Sequence, residues 1–230
     1  MKNITYLRYH RDDDYQKNEN LFRNIFGKRV GIVQRFIKTP GRVLDIGTST
    51  GTMLDLFKEM GWQTFGVEPS ESSRVATKKG HNVSNVFFEK SNFPKNSFDL
   101  IILNHTLEHL VGPTKILTKV YELLKTGGLV LVDVPNAGGI GSKLLGKRWP
   151  YLLPKEHISQ FTKKSLSNIF IQAGFKIIHF ESRSGFFEYA NPFLELKRKR
   201  FLLDLITIPY SLIATMVNMG DSMTMVGKKI

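Results

Sequence analysis

The run Val43-Leu44-Asp45-Ile46-Gly47-Thr48-Ser49-Thr50-Gly51 gathers residue types that could hold a ligand. An apolar strand feeds a turn with glycine at its first and last positions, and a helical pattern follows. Glycine lets the chain turn sharply and approach a ligand with no Cβ in the way. The first amides of the helix lack intrahelical partners and can donate outward. The glycine spacing is not G-x-G-x-x-G, which disfavours a dinucleotide fingerprint. Asp45 would repel a pyrophosphate but could accept from an ammonium or an amide. A tight structural turn accounts for such a pattern about as readily as a binding loop does. Glu68 lies 21 residues beyond Gly47, at the end of the next apolar run. In doubly wound folds a carboxylate at that place bonds ribose hydroxyls. The competing reading is a surface Glu before Pro69.

These residues need a sheet to place them. Apolar runs predict strands at 42–46, 64–67, 86–88, 98–103, 129–134, 175–180 and 222–226. Helical spacing predicts helices at 15–38, 53–60, 71–79, 113–125 and 164–173, with Gly127-Gly128 and Gly174 as stops. Strands alternating with helices imply an α/β fold, a doubly wound and mostly parallel seven-stranded sheet covered on both faces. N-terminal helices precede it. The expected division is a helical cap over 1–40, a core over 41–190 and 220–230, and a helical insertion over 191–219. Ligands on such sheets bind at the carboxyl ends of the strands.

Composition narrows the chemistry. The 230 residues are 41% hydrophobic with 17 Phe, enough for a substantial core. With no Cys, disulfides, thiol nucleophiles and thiolate metal sites are excluded. Residues 1–14 lack the apolar stretch of a secretory signal, so a cytoplasmic setting is expected. The net charge of +13 attracts phosphates, on nucleic acid, nucleotide-sugars or anionic lipid. A solvated basic face explains it equally well.

Taken together, VLDIGTSTG, FGVEPS, NSFDLIILNHTLEHL and LLKTGGLVLVDVPN resemble the successive motifs of class I S-adenosylmethionine-dependent methyltransferases. The resemblance covers residues 42 to about 180, in the expected order and spacing. With Glu-His after the fourth strand and HISQFT further on, the chain is similar to a bacterial small-molecule group. That group includes ubiquinone-type O-methyltransferases and enzymes acting on sugars, antibiotics and glycan precursors.

The resemblance implies S-adenosylmethionine as cofactor, with roles position by position. Asp45, Gly47, Thr48 and Gly51 would line its methionine end, and Glu68 would hold the ribose. Phe87, in the 86–88 run, would pack on adenine where such families often place an Asp. Asn104 and His105 would lie beneath the sulfonium and acceptor. Methyl transfer needs alignment and exclusion of water, helped by a base when the nucleophile is a hydroxyl. His157, His105 and His109 are the candidate bases, His157 foremost because it follows a long Gly/Pro loop where a substrate lid would lie. A structural histidine bonded to backbone is the competing reading for each. Ubiquinone-type relatives bind a divalent ion through Glu-x-x-Glu-His. Here the stretch is His105-Thr106-Leu107-Glu108-His109, its first acid replaced, so no metal is expected. The loop 137–154, with Lys147-Arg148-Trp149-Pro150-Tyr151, reads as a lid or as a solvated loop.

The insertion opens with Lys197-Arg198-Lys199-Arg200 and continues FLLDLITIPYSLIATMVNM. It is too short and interrupted to span a membrane. It packs on the domain or a partner subunit, a homodimer included, or it lies on an anionic membrane surface. The leading functional expectation is methyl transfer to O, or less often C or N, of a small or lipid-linked acceptor such as a sugar or glycan precursor. An RNA methyltransferase is the second reading, disfavoured because no RNA-binding appendage and no Asn-Pro-Pro-Tyr-type motif is present. A non-catalytic cofactor-fold scaffold is the third.

Overall fold

The computed structural model describes residues 17–191, Leu194 and 207–230. Helix α1 (Glu19–Phe36) leads into strand β1 (Arg42–Ile46), helix α2 (Thr52–Glu59) and strand β2 (Gln63–Val67). Helix α3 (Ser73–Lys78), strand β3 (Asn82–Ser84), strand β4 (Phe98–Asn104), helix α4 (Pro113–Leu123) and strand β5 (Leu124–Pro135) follow. Helix α5 (Ile140–Leu145), helix α6 (Lys163–Gln172), strand β6 (Phe175–Arg183), helix α7 (Ile208–Met216) and strand β7 (Ser222–Lys229) complete the order.

The strands form one seven-stranded sheet ordered β3-β2-β1-β4-β5-β7-β6. All neighbours are parallel except β7, which runs antiparallel to β5 and β6. The order reverses between β1 and β4, so the crevice of the switch point opens at their carboxyl ends. Alternate residues of each strand feed opposite faces. Leu44, Ile46, Ile101, Leu103, Val130 and Val132 pack with α4 and α6 through Ile116, Leu117, Leu166 and Phe170. Val43, Leu100, Ile102 and Leu131 pack with Phe26 and Val33 of α1 and Leu54 and Phe57 of α2. Two covered faces explain why β1, β4 and β5 are nearly continuous apolar runs.

One expectation is corrected. The third strand is Asn82–Ser84, paired Phe65↔Asn82 to Val67↔Ser84, and the 86–88 run is not a strand. Phe88 begins a 3-10 turn and is buried in the core, so side-chain burial overrides the β-propensity of Val86-Phe87-Phe88. The loop after β5 is not wholly solvated at its aromatic end. Trp149 is buried and its indole donates to Asp221 at 3.1 Å. Of the expected N-terminal helices, one is seen among the described residues. Of the insertion, α7 is seen, whereas Lys197–Arg200 lie outside the described residues.

Candidate active site

A cleft of about 520 Å³ opens at the carboxyl ends of β1, β2 and β4. Gly47 lies at its floor. Its N–H donates to Val67 O at 2.8 Å, and its φ of 79° belongs to the left-handed region. A Cβ there would fall 2.6 Å from Thr106 Oγ1, so the turn and the β4 loop close on each other only through glycine. Gly51 also has positive φ, but its added Cβ would meet His81 and Ala76. It shapes the start of α2 and does not line the cleft.

Glu68 is buried, and both its oxygens accept backbone amides. Oε2 takes Ser49 N–H and Oε1 takes Ser70 N–H, each at 2.9 Å. Asn85 Nδ2 donates to Glu68 O at 2.8 Å and holds the turn from behind. One carboxylate therefore joins the glycine turn to the β2 turn and faces the cleft.

Asp45 reaches a smaller recess that also touches Gly47, Thr48 and Asn104. Burial pushes its carboxyl up to about 7; the Thr48 hydroxyl opposes the shift and the Glu68 charge adds to it. Asn104 lines both spaces, and its buried Oδ1 has no hydrogen-bond partner. A charged or half-charged acid beside an unpaired acceptor suits a cationic donor such as an ammonium.

The aromatic wall comes from two places. Phe22 and Phe26 of α1 face the cleft, as do Phe87 and Phe88. Lys119 of α4 braces the second pair, donating to Phe88 O at 2.7 Å and Ser91 O at 2.8 Å with its ammonium 4.7 Å from the Phe88 ring centre.

At the opposite end stand the histidines. His105, at positive φ, lines the cleft between two carboxylates. Nδ1 is 3.4 Å from Glu108 Oε1 and Nε2 is 3.4 Å from Asp133 Oδ1. Burial works against its charged form, but these carboxylates outweigh it and raise its pKa. His109 also lines the cleft, whereas His157 stands behind it, ring centres 4.8 Å apart at a T-shaped angle. Each Nδ1 donates to a backbone carbonyl at 2.9 Å, His109 to Glu156 O and His157 to Tyr151 O. That fixes Nε2 as the acceptor nitrogen of each neutral ring. Burial lowers the His157 pKa. Glu108 is buried with neither oxygen hydrogen-bonded. One ligand atom each of Glu108, His109 and His157 fall within 4.8 Å of one another, a group that could hold a metal ion.

Residues that the motif reading passed over support this end. Asp133 is fully buried on β5 and accepts from Arg29 at 3.1 Å and from the Ser222 and Thr224 hydroxyls. Arg29 also meets Glu188 at 2.6 Å. A charge inside the apolar run VLVDVP, and another on the apolar stripe of α1, were the available signals.

The profile of the methyltransferase-domain family matches residues 18–180. The chain belongs to this family. It is a class I S-adenosylmethionine-dependent methyltransferase domain, as its motifs suggested. The chain is similar to a ubiquinone biosynthesis O-methyltransferase of Bradyrhizobium sp. strain ORS 278, 32% identical over 102 residues, 41% of this chain and 40% of that protein. A ubiquinone/menaquinone biosynthesis C-methyltransferase of Pseudoalteromonas translucida is 32% identical over 117 residues, 46% of this chain and 47% of that protein. The matches thus span less than half of those relatives. Among solved structures, a SAM-dependent methyltransferase, possible histamine N-methyltransferase, of Thermotoga maritima superposes with a TM-score of 0.66 at 21% identity, over 95% of each chain. That likeness is one of fold.

Proposed function

We propose that this domain transfers the methyl group of S-adenosylmethionine to a hydroxyl of an apolar small or lipid-linked acceptor. The observation that carries the reading is the layout of the cleft. Glu68 after β2 and Phe87 after β3 line it on one side of β1, and His105 and His109, with Leu110, Val111 and Ile158, line it on the β4 side. The first set suits a nucleoside, with Glu68 accepting from ribose hydroxyls and Phe87 covering the purine. Asp45 and Asn104 suit the methionyl ammonium, with Gly47 and Thr48 shaping that end. The sulfonium methyl would then point toward Asn104 and the histidines. The acceptor mouth is mainly apolar, which favours an aromatic or isoprenoid-bearing hydroxyl compound over a bare sugar. The names of the ubiquinone-type relatives agree with that class.

In the transfer, the methyl leaves sulfur as the acceptor oxygen attacks in line, and the hydroxyl proton must be removed. His109 touches the cleft, and His157 shares its Glu108 neighbourhood, so the pair can take that proton through Nε2. The donor set of Glu108, His109 and His157 also fits a divalent cation by chemistry: one buried carboxylate, with one oxygen 3.4 Å from His105 Nδ1, and two acceptor nitrogens. A bound cation would lower the pKa of an acceptor hydroxyl.

Calorimetric titration with S-adenosylmethionine comes first, and absence of binding leaves only a scaffold. Labelled methyl transfer is then measured on polyprenylated catechols, lipid-linked sugars, nucleotide-sugars and tRNA. Transfer confined to nucleotide-sugars or tRNA would replace the apolar acceptor.

A further inference from the structure

We infer that α5 and α7 form a docking face for an anionic lipid bilayer at the same edge of the sheet as the cleft. The argument starts from α7, IPYSLIATM, which carries no charged side chain. Leu212, Ile213, Met216 and the following Val217 fall at helical spacing on one stripe, and that stripe is exposed, Met216 at 74%. Its buried members are Ser211 and Ala214. The helix is therefore amphipathic in the reverse sense of a surface helix, with its small residues inward and its large apolar ones in solvent.

The neighbouring α5 repeats the pattern. Leu144 and Leu145 are exposed, Leu144 at 75%, and Lys143, Lys147 and Arg148 flank them in solvent. The two helices are knit into one corner through Asp221. Trp149, just after α5, donates to Asp221 Oδ1 at 3.1 Å, and Tyr210 of α7 donates to Oδ2 at 2.8 Å. Ile140 N–H also donates to Met219 O at 2.8 Å.

Topology places this corner. Helix α5 follows the carboxyl end of β5, and α7 precedes β7, whose first residue Ser222 pairs with Pro135 at that same end. Both helices thus stand at the sheet edge where Glu68 and His105 lie.

Charge selects the occupant. The flanking charges at α5 are all cationic, the whole chain carries +13, and four consecutive cations, Lys197–Arg200, precede α7 in sequence. Exposed apolar side chains bordered by Lys and Arg match an anionic headgroup layer, apolar groups entering the acyl boundary and cations remaining at the phosphates. No helix among the described residues is long and apolar enough to cross a membrane.

The test is co-sedimentation with vesicles of phosphatidylcholine alone and of phosphatidylcholine with phosphatidylglycerol, at low and high salt. It uses the full chain and the variants I213E/M216E and L144E/L145E. All four positions are exposed, and thermal melting with S-adenosylhomocysteine binding checks the fold. The expected result is pelleting that needs the anionic lipid, weakens with salt, and falls about tenfold or more in each variant. No pelleting at low salt overturns the inference. Undiminished pelleting of both variants overturns the assignment to this face. Concentration-dependent dimerisation of the wild type that the variants abolish, without lipid binding, replaces the bilayer by a second copy. The readout needs no methyl transfer, so its failure is distinguishable from failure of the proposed activity.

Discussion

Glu68 Oε2 accepts the Ser49 N–H at 2.9 Å, across 19 residues of chain. The bond ties the carboxylate at the end of β2 to the glycine turn, so one side chain both shapes the cleft floor and presents an acceptor to it. With Ser70 N–H on the other oxygen, the carboxylate has little rotational freedom. Such a group meets a ligand with its ordering cost already met.

Glu68→Ala should weaken S-adenosylhomocysteine binding by about 1.5–3 kcal/mol, the scale of hydrogen bonds to a charged group. Calorimetry reads the change directly. Unchanged affinity would remove Glu68 from the cofactor site.

Cofactor affinity should rise with pH up to about 7 and level off above it. Burial raises the Asp45 carboxyl to about 7, so the unliganded fold holds its proton through mild acid. An ammonium neighbour favours the carboxylate, so binding releases that proton below pH 7. The same shift makes folding stability fall as pH climbs from the ordinary carboxylate range to about 7, because the folded state binds the proton more tightly. Calorimetry in buffers of different ionisation enthalpy counts the proton, and Asp45→Asn should abolish its release. A pH-independent affinity would contradict the assignment.

Turnover and cofactor binding should separate at the histidines. His157→Ala is expected to lower the rate about 10²-fold or more while leaving S-adenosylhomocysteine affinity unchanged, since His157 stands behind the cleft. If a cation acts here, a chelator reproduces the loss and added metal restores it. If the pair acts as base alone, the chelator has no effect. Full turnover in the mutant would move the role to His109 or His105.

Gly47→Ala should destabilise the fold and abolish cofactor binding together. Left-handed backbone costs a non-glycine residue about 1–2 kcal/mol. The new Cβ would also meet Thr106 Oγ1 at 2.6 Å. Adding Thr106→Ser removes the Cγ2 methyl, which would lie 2.9 Å from that Cβ, and should recover part of the stability, measured by urea unfolding. Wild-type affinity in the single mutant would show the cofactor lies elsewhere.

Arg29→Met should cost about 3–5 kcal/mol, because it leaves buried Asp133 without its main partner. Arg29 and the His105 and Arg183 charges hold the Asp133 carboxyl well below its ordinary range against the opposing effect of burial. Denaturant midpoints test the loss. A shift under 1 kcal/mol would mean that Arg183, Ser222 and Thr224 suffice.

Much of this protein was legible before folding. Val43 to Ile46 and Phe98 to Leu103 are apolar because strands covered on both faces must be. The break at Gly47 marks the turn because only glycine takes its backbone there beside Thr106. Glu68 was found by its distance from Gly47, since one βαβ unit sets that spacing. Ordered motifs therefore determined the fold and marked Gly47 and Glu68, which line one cleft.

Tertiary structure decided the rest. It removed Gly51 from the cleft wall and set it against His81, a contact between separate elements that no local pattern encodes. It moved the third strand off Val86-Phe87-Phe88, because Phe88 finds more burial under α4 than in an edge ladder. It brought Glu108, His109 and His157 together, although 48 residues separate the last two. It also joined Arg29 to Asp133 across 104 residues. Periodicity reports which face of an element is buried, but the partner of a buried charge is chosen by the packing of whole elements, and that choice is made only in three dimensions.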